Sequence, residues 1–342
     1  MHRCLQLAKL GSGNVAPNPM VGAVLAHEGR IIGEGYHEKY GEAHAEPNCI
    51  NSVKEKDRHL ISQSTLYVSL EPCSHVGKTP PCADLIIKNK IPKVIIGCLD
   101  PFAEVRGKGI EKLKAAGIEV EIVLENECRE LNKRFMIFHE QHRPFIILKW
   151  AETANGKISS DGAERLSISN EFTNRLVHKW RSEEAAILVG TNTAMMDDPQ
   201  LTTRLWAGNN PARLVVDMNL SLPSSLKLFD GSVNTIVFNS ARHEEQGKTS
   251  FYQVTQDVSL IHQIVNALNH LKIQSVIVEG GARLLQSFID EDLWDEARVI
   301  KNEELMINNG LAAPVIDNGT ISSKERIFTD TVGIYKNPDT NC

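Results

Sequence analysis

Thr65-Leu66-Tyr67-Val68-Ser69-Leu70-Glu71-Pro72-Cys73 is a run of strand-forming residues that stops at a proline followed by a thiol. Nine positions after Cys73, Pro81-Cys82 opens a second apolar run, Ala83-Asp84-Leu85-Ile86-Ile87, with proline where a helix begins. A strand therefore hands over to a helix across a loop bounded by two cysteines. The pattern extends both ways. Residues 21–27 and 30–36 are apolar runs joined by Glu28-Gly29, a hairpin signal. A helix is expected from about Ala43, a strand at Lys93–Cys98 and a helix near Gly109–Ala116. This alternation predicts an α/β sheet, with its chemistry at the carboxyl ends of the strands.

His44-Ala45-Glu46 supplies what the cysteine loop lacks. One imidazole and two thiolates, from His44, Cys73 and Cys82, make the three protein ligands of a catalytic zinc, which keeps a fourth position open for water. Glu46 stays outside the metal shell and is free to move protons, the arrangement of zinc deaminases. His44 and Glu46 are two apart and would not share a face inside a helix, so they are expected on a first turn. Nucleobase deaminases commonly place their two cysteines three apart. The longer spacing here puts His75 and Lys78 over the metal and implies a substrate larger than a bare base. Asn18 in Pro17-Asn18-Pro19 and His37 at a strand end are further candidates for this pocket, although an exposed strand-end histidine is the plainer reading of His37. A structural zinc is a rival, but it wants a fourth tight ligand and close Cys-x-x-Cys pairs, which are missing. Cys4, Cys49, Cys98 and Cys128 read as ordinary core residues.

At 342 residues, 42% hydrophobic and 23% charged, the chain is long enough for two cores. No apolar run approaches the roughly 20 residues of a membrane helix. The first residues resemble an amphipathic helix rather than a signal peptide. Seven cysteines, an odd number, fit reduced thiols and metal ligation in a cytoplasmic protein. The net charge of −6 falls wholly in residues 143–342, where 25 acidic residues face 19 basic ones. Neither half carries the basic footprint of a nucleic-acid binder.

Near Asn132–Pro144 the pattern breaks into a polar stretch, Phe138-His139-Glu140-Gln141-His142-Arg143-Pro144, which marks a boundary between domains 1–142 and 143–342. Strands are expected at Phe145–Trp150, Ala185–Val189, Arg213–Asp217, Thr235–Asn239 and Ser275–Glu279, with helices at Asn170–Trp180 and His262–Leu271. This is a second α/β sheet. Val278-Glu279-Gly280-Gly281-Ala282-Arg283 reads as a strand, a turn and a helix start able to meet a phosphate, without the Gly-x-Gly-x-x-Gly of a Rossmann fold.

Pro17-Asn18-Pro19-Met20-Val21-Gly22, the His44 triplet and the segment from Glu71 to Cys82 closely resemble the bifunctional riboflavin-biosynthesis deaminase/reductase family. The resemblance runs nearly end to end. It implies an N-terminal cytidine-deaminase-like zinc domain and a C-terminal dihydrofolate-reductase-like domain, with one catalytic Zn2+ and NADPH as cofactors. It further implies that Ala151, Thr193, Asp197 and the segment Gly281-Ala282-Arg283-Leu284-Leu285-Gln286-Ser287 contact NADPH. Arg181, Leu201, Arg204 and Glu279 would hold substrate, and Lys149 matches a family lysine near the reaction centre. Ser167 stands at a cofactor-side position where many members have Trp, and the chain begins a few residues later than the family leads one to expect. The implied substrate is 2,5-diamino-6-ribosylamino-4(3H)-pyrimidinone 5′-phosphate, deaminated and then reduced from ribosyl to ribityl. A small phosphorylated pyrimidine as partner, no nucleic acid, no membrane and a homo-oligomer are the accompanying expectations. The competing reading is a nucleobase or tRNA deaminase fused to a non-catalytic ligand-binding domain.

Overall fold

Strand β1 (Gly22–His27) turns back on β2 (Arg30–Tyr36) through Glu28 and Gly29, both left-handed, as a two-residue hairpin requires. The computed structural model describes residues 1–74, 80–102, 105–160 and 166–340. It divides into two compact units, Met1–His142 and the chain from Arg143 onward. In the first unit β3 (Thr65–Leu70), β4 (Lys93–Cys98) and β5 (Glu119–Ile122) complete a sheet of order β2-β1-β3-β4-β5, in which β3, β4 and β5 run parallel. Helices α1 (His2–Ala8), α2 (Ala45–Asn51), α3 (Cys82–Lys88), α4 (Lys108–Ala115), α5 (Glu125–Leu131) and α6 (Lys133–Glu140) accompany it. Leu66, Val68, Val94 and Ile96 alternate along β3 and β4 and join Ile86 and Leu113 in the main core. Gly35 in β2 decides how near α2 lies: a Cβ there would stand 2.3 Å from the Cys49 nitrogen. The absent side chain lets α2, and with it His44, sit against the sheet.

The polar break expected at 132–144 is mostly helix. Phe135, Met136, Ile137 and Phe138 of α6 are buried, and Phe135 and Met136 pack with Leu70, Cys98 and Cys128. A seven-residue polar window hid an amphipathic helix because all but one of its apolar residues, Phe135, Met136 and Ile137, come before the window begins at Phe138.

The second unit holds a ten-stranded sheet. Its strands are β6 (Phe145–Glu152), β7 (Ala186–Gly190), β8 (Ala212–Val216), β9 (Thr235–Asn239), β10 (Glu244–Gln246), β11 (Thr249–Gln253), β12 (Ser275–Val278), β13 (Glu296–Asn302), β14 (Thr320–Ile327) and β15 (Asp330–Lys336), in the order β10-β11-β9-β8-β7-β12-β6-β13-β15-β14. The seven strands from β11 to β13 run parallel, with antiparallel β10 on one side and β15-β14 on the other. Helices α7 (Glu171–Glu183), α8 (Thr191–Asp197), α9 (Leu260–His270) and α10 (Ala282–Asp290) connect them. Ile146, Leu148, Val276, Val278, Leu188 and Leu214 form the centre of the core with Phe288 and Trp294. The middle strands are buried on both faces, as parallel strands are. None of the helices among the described residues is long and apolar enough to cross a membrane.

Candidate active sites

His44 is the N-cap residue of α2, and Glu46 lies in its first turn, so the two side chains meet at the helix end. Cys73 follows β3 by three residues, and Cys82 opens α3. His44 Nδ1 lies 3.7 Å from Cys73 Sγ and 3.4 Å from Cys82 Sγ. The three donor atoms fall within 4.8 Å of one another. The Cys82 backbone N–H donates to Cys73 Sγ at 3.3 Å and the Ala83 N–H to the Cys73 carbonyl at 3.1 Å, which fixes the first thiol against the start of α3. One nitrogen and two sulfurs, with a carboxylate beside them rather than among them, fit a catalytic zinc.

The electrostatics suit that donor set. The Cys82 thiol hydrogen-bonded to Cys73, with His44 and the Cys82 N–H adding to it, holds Cys73 at about 4 against the opposing effect of burial. Its thiolate is thus favoured before any metal binds, while Cys82, as the donor of that pair, is pushed up. Burial, then the charge of Cys73, raises the Glu46 carboxyl to about 7.

His37 is 2% exposed, so it is not the solvent-facing histidine that a strand end suggests. Its Nδ1 meets the Ala43 carbonyl at 3.0 Å and its Nε2 meets Asn18 Nδ2 at 3.1 Å. The ring stands 5.4 Å from that of His44, edge to face. Asn18 and His37 are therefore brought beside the metal-binding set. His75 and Lys78 lie outside the described residues. Glu71 is a residue that the spacing argument gave no role. Its carboxylate accepts from the backbone N–H groups of Gly107 (3.0 Å), Gly109 (2.9 Å), Asp100 and Ile110 (both 3.3 Å), capping α4 from the end of β3. No local pattern announces it, because its partners are some thirty residues away.

In the second unit the carboxyl ends of β7, β12 and β6 lie side by side. Glu279, immediately after β12, takes a two-point contact from Arg181 of α7, Nε and Nη2 each at 2.7 Å, and Lys149 of β6 approaches it at 3.7 Å. Burial raises this carboxyl, but Arg181 and Lys149 outweigh it and hold Glu279 at about 2. Two residues assigned to substrate, Arg181 and Glu279, are thus paired with each other. His178, one turn before Arg181, went unnoticed in the sequence. It is buried, its Nδ1 has no partner among the described residues, and burial with the charges of Arg181 and Arg204 lowers it to about 4. Helix α7 is fixed at its start by Asn170, whose side chain accepts from Phe172 and Thr173 N–H, and by Asp330 of β15, which accepts from the Asn170 N–H at 2.8 Å.

Gly281, the N-cap of α10, has φ +79, and a Cβ on Gly280 would lie 2.8 Å from Thr193 Cγ2. The two strand–turn–helix corners thus touch, one carrying Thr193 and the other Gly280-Gly281. Ala151 lies on β6 close to Lys149. The far part of the 281–287 segment lies along α10. Leu285 is 1% exposed and belongs to the core, Gln286 hydrogen-bonds Val315 and Asp290, and Ser287 donates to the Arg283 carbonyl. Gly281, Ala282, Arg283 and Leu284 form the part of that segment at the helix start. Leu201 is buried at φ 52. Asp197 closes α8, and Ser167 is exposed, donating to the Ser169 carbonyl at 3.4 Å.

Residues 1–98 match the cytidine and deoxycytidylate deaminase zinc-binding region, and residues 144–302 match the RibD C-terminal domain. The riboflavin biosynthesis protein RibD of Aquifex aeolicus is 39% identical over 312 residues, covering 90% of this chain and 86% of the relative. That of Bacillus amyloliquefaciens is 38% identical over 306 residues, covering 86% and 81%. A crystal structure of a diaminohydroxyphosphoribosylaminopyrimidine deaminase/5-amino-6-(5-phosphoribosylamino)uracil reductase from Thermotoga maritima superposes with a TM-score of 0.89 at 36% identity, over 98% of this chain and 97% of that one.

Proposed function

Since the chain belongs to the RibD family of riboflavin biosynthesis proteins, we propose a division of labour among its residues. The protein is a bifunctional enzyme, a zinc-dependent deaminase in its first part and an NADPH-dependent reductase in its second. Its substrate is 2,5-diamino-6-ribosylamino-4(3H)-pyrimidinone 5′-phosphate, which loses its 2-amino group as ammonia and then has the ribosyl group reduced to ribityl. The observation that carries the reading is the convergence of His44, Cys73 and Cys82 beside a buried Glu46 that stays out of the ligand set.

His44, Cys73 and Cys82 would hold the zinc, which would supply a Lewis acid and lower the pKa of water. Glu46 would take a proton from the attacking water on its carboxylate and deliver it to the departing amine nitrogen. Asn18, oriented by His37, meets the pyrimidine ring. In the second part NADPH supplies the hydride. Thr193, Asp197, Ala151 and the helix start at Gly281 would hold that cofactor, the first turn offering N–H groups suited to phosphate. Lys149, restrained by Glu279, serves near the reaction centre, and Arg204, together with Leu201, Arg181 and Glu279, binds the substrate, Arg204 taking its phosphate. The domain boundary at 142/143 separates the two chemistries.

Ammonia release from the zinc-loaded chain, and NADPH oxidation when the deaminated intermediate is supplied, test the two halves. Deamination without NADPH oxidation would favour the non-catalytic second domain. Free buried cysteines support a cytoplasmic setting, which fractionation checks. The exposed stack of Phe172 on Phe328 supports a homo-oligomer, which light scattering checks.

A further inference from the structure

Segment 198–204 carries Leu201 and Arg204, belongs to no strand or helix, and is held at regular intervals. Lys227 Nζ donates to the Asp198 carbonyl at 3.3 Å, Arg213 Nε to the Gln200 carbonyl at 2.9 Å and Arg181 Nη1 to the Thr202 carbonyl at 3.3 Å. Every second carbonyl from 198 to 202 thus accepts from a cation. The three cations come from three places: the turn Lys227–Phe229, β8 and α7. Two residues of the segment, Asp198 at φ 37 and Leu201 at φ 52, occupy the left-handed region that side chains disfavour. Such backbone persists where its surroundings over-determine it, and it gathers at functional sites.

Arg213 is the centre of this arrangement. Its side chain is 0% exposed and pairs with Asp230 at 2.7 Å. Nη1 also donates to the carbonyls of Lys227 at 3.1 Å and Leu228 at 3.3 Å, and Nη2 to Ser232 Oγ at 3.2 Å. The side chain that holds the Gln200 carbonyl therefore also fixes the turn from which Lys227 reaches Asp198. The Lys227 backbone N–H adds a bond to Asp198 Oδ1 at 2.7 Å. A buried ion pair is weak evidence for stability, since an apolar chain of similar volume often serves a core as well. An apolar chain cannot donate to the Gln200 carbonyl.

We propose that Arg213 is a positioning residue of the reductase: it sets the 198–204 backbone so that Leu201 and Arg204 are already in place when a phosphorylated substrate arrives. The proposal rests on the substrate role given above to Arg204. It assigns a function to a charge that lies in the interior, away from any reacting atom. Preorganised binding groups gain affinity because less ordering remains to be done on association.

The test uses the full chain with Arg213→Met, which removes the donor and keeps the volume. The KM of the phosphorylated reductase substrate should rise about tenfold or more, the scale of one lost charge-assisted anchor, with kcat changed less. Ammonia release should be unchanged. Amide exchange in residues 198–204 of the substrate-free protein should quicken, which distinguishes a loosened loop from general destabilisation. A wild-type KM and wild-type exchange in Arg213→Met overturn the proposal. Should that variant fail to fold, Arg213→Lys keeps the charge but loses the fork: a raised KM supports the clamp and a wild-type KM overturns it. Arg204→Ala separates the two ideas. An unchanged KM there removes the reading on which the clamp rests, and both fall; a raised KM beside a wild-type KM in Arg213→Met overturns the clamp alone.

Discussion

Glu46 combines burial with a position just outside the metal ligands, and its neighbours decide its charge. Glu46→Gln occupies nearly the same space but cannot carry a proton, so deamination should fall by more than about a hundredfold while zinc stays bound. Ammonia release with metal analysis checks this, and turnover near normal would remove Glu46 from the proton path. Glu279 and His178 should make the proposed reductase site acid-sensitive in a defined order. His178 is lowered from 6.5 to about 4, so its contribution is full above pH 6.5 and is lost as pH falls through about 4. Glu279 is lowered from 4.5 to about 2, so its contribution is full above 4.5 and is lost only as pH falls through about 2. Thermal stability of the second unit should therefore begin to decline below pH 6.5, and His178→Gln should flatten the decline between pH 6.5 and 4. An unchanged slope in melting scans of that variant would show that His178 does not titrate there.

Elements that alternate strand with helix were legible because their strands are short apolar runs, several of them stopping at or just before a Gly, Pro or Cys, as at Pro72, Cys98, Gly190 and Gly280. The metal-binding set was readable for the same reason: His44 and Cys82 sit at helix starts and Cys73 just beyond the end of β3, where sequence signals are densest. The antiparallel margin was not. Every residue of β14 from Thr320 to Arg326 is exposed, so Thr320-Ile321-Ser322-Ser323-Lys324-Glu325-Arg326 has no buried face to give it a period of two. Arg213, His178 and Glu71 were hidden differently, since their partners lie far along the chain. At the corner between β12 and α10 the sequence showed two glycines, and the structure shows why the first is needed. A Cβ on Gly280 would stand 2.8 Å from Cγ2, 3.0 Å from Oγ1 and 3.1 Å from Cβ of Thr193. Gly280→Ala should cost about 1–3 kcal/mol by overpacking and raise the KM for NADPH. Thr193→Ala in the same chain removes the two nearest atoms, so it should recover part of the stability but not the cofactor affinity, because Thr193 is itself assigned to NADPH. Melting temperatures of the single and double variants decide it, and strictly additive losses would mean that the two corners do not interact.

Across the whole molecule, the residues assigned to the two chemistries fall in separate compact units, each with its own core. The three metal ligands and Glu46 come from the first 142 residues, and the cations and glycines assigned to reduction come from the rest. Metal removal is then a clean separation. A chelator should abolish ammonia release and leave NADPH oxidation intact when the deaminated intermediate is supplied, because none of the residues assigned to reduction is a metal ligand. Arg204→Lys should do the converse. A lysine keeps the charge but cannot make the two-point contact of a guanidinium with phosphate oxygens, so reduction should weaken while ammonia release stays at the wild-type rate. Each perturbation serves as the control for the other, since general destabilisation would lower both rates. Steady-state assays of the two half-reactions on the same preparation measure this directly, and equal loss of both activities under either treatment would sink the assignment of two independent sites.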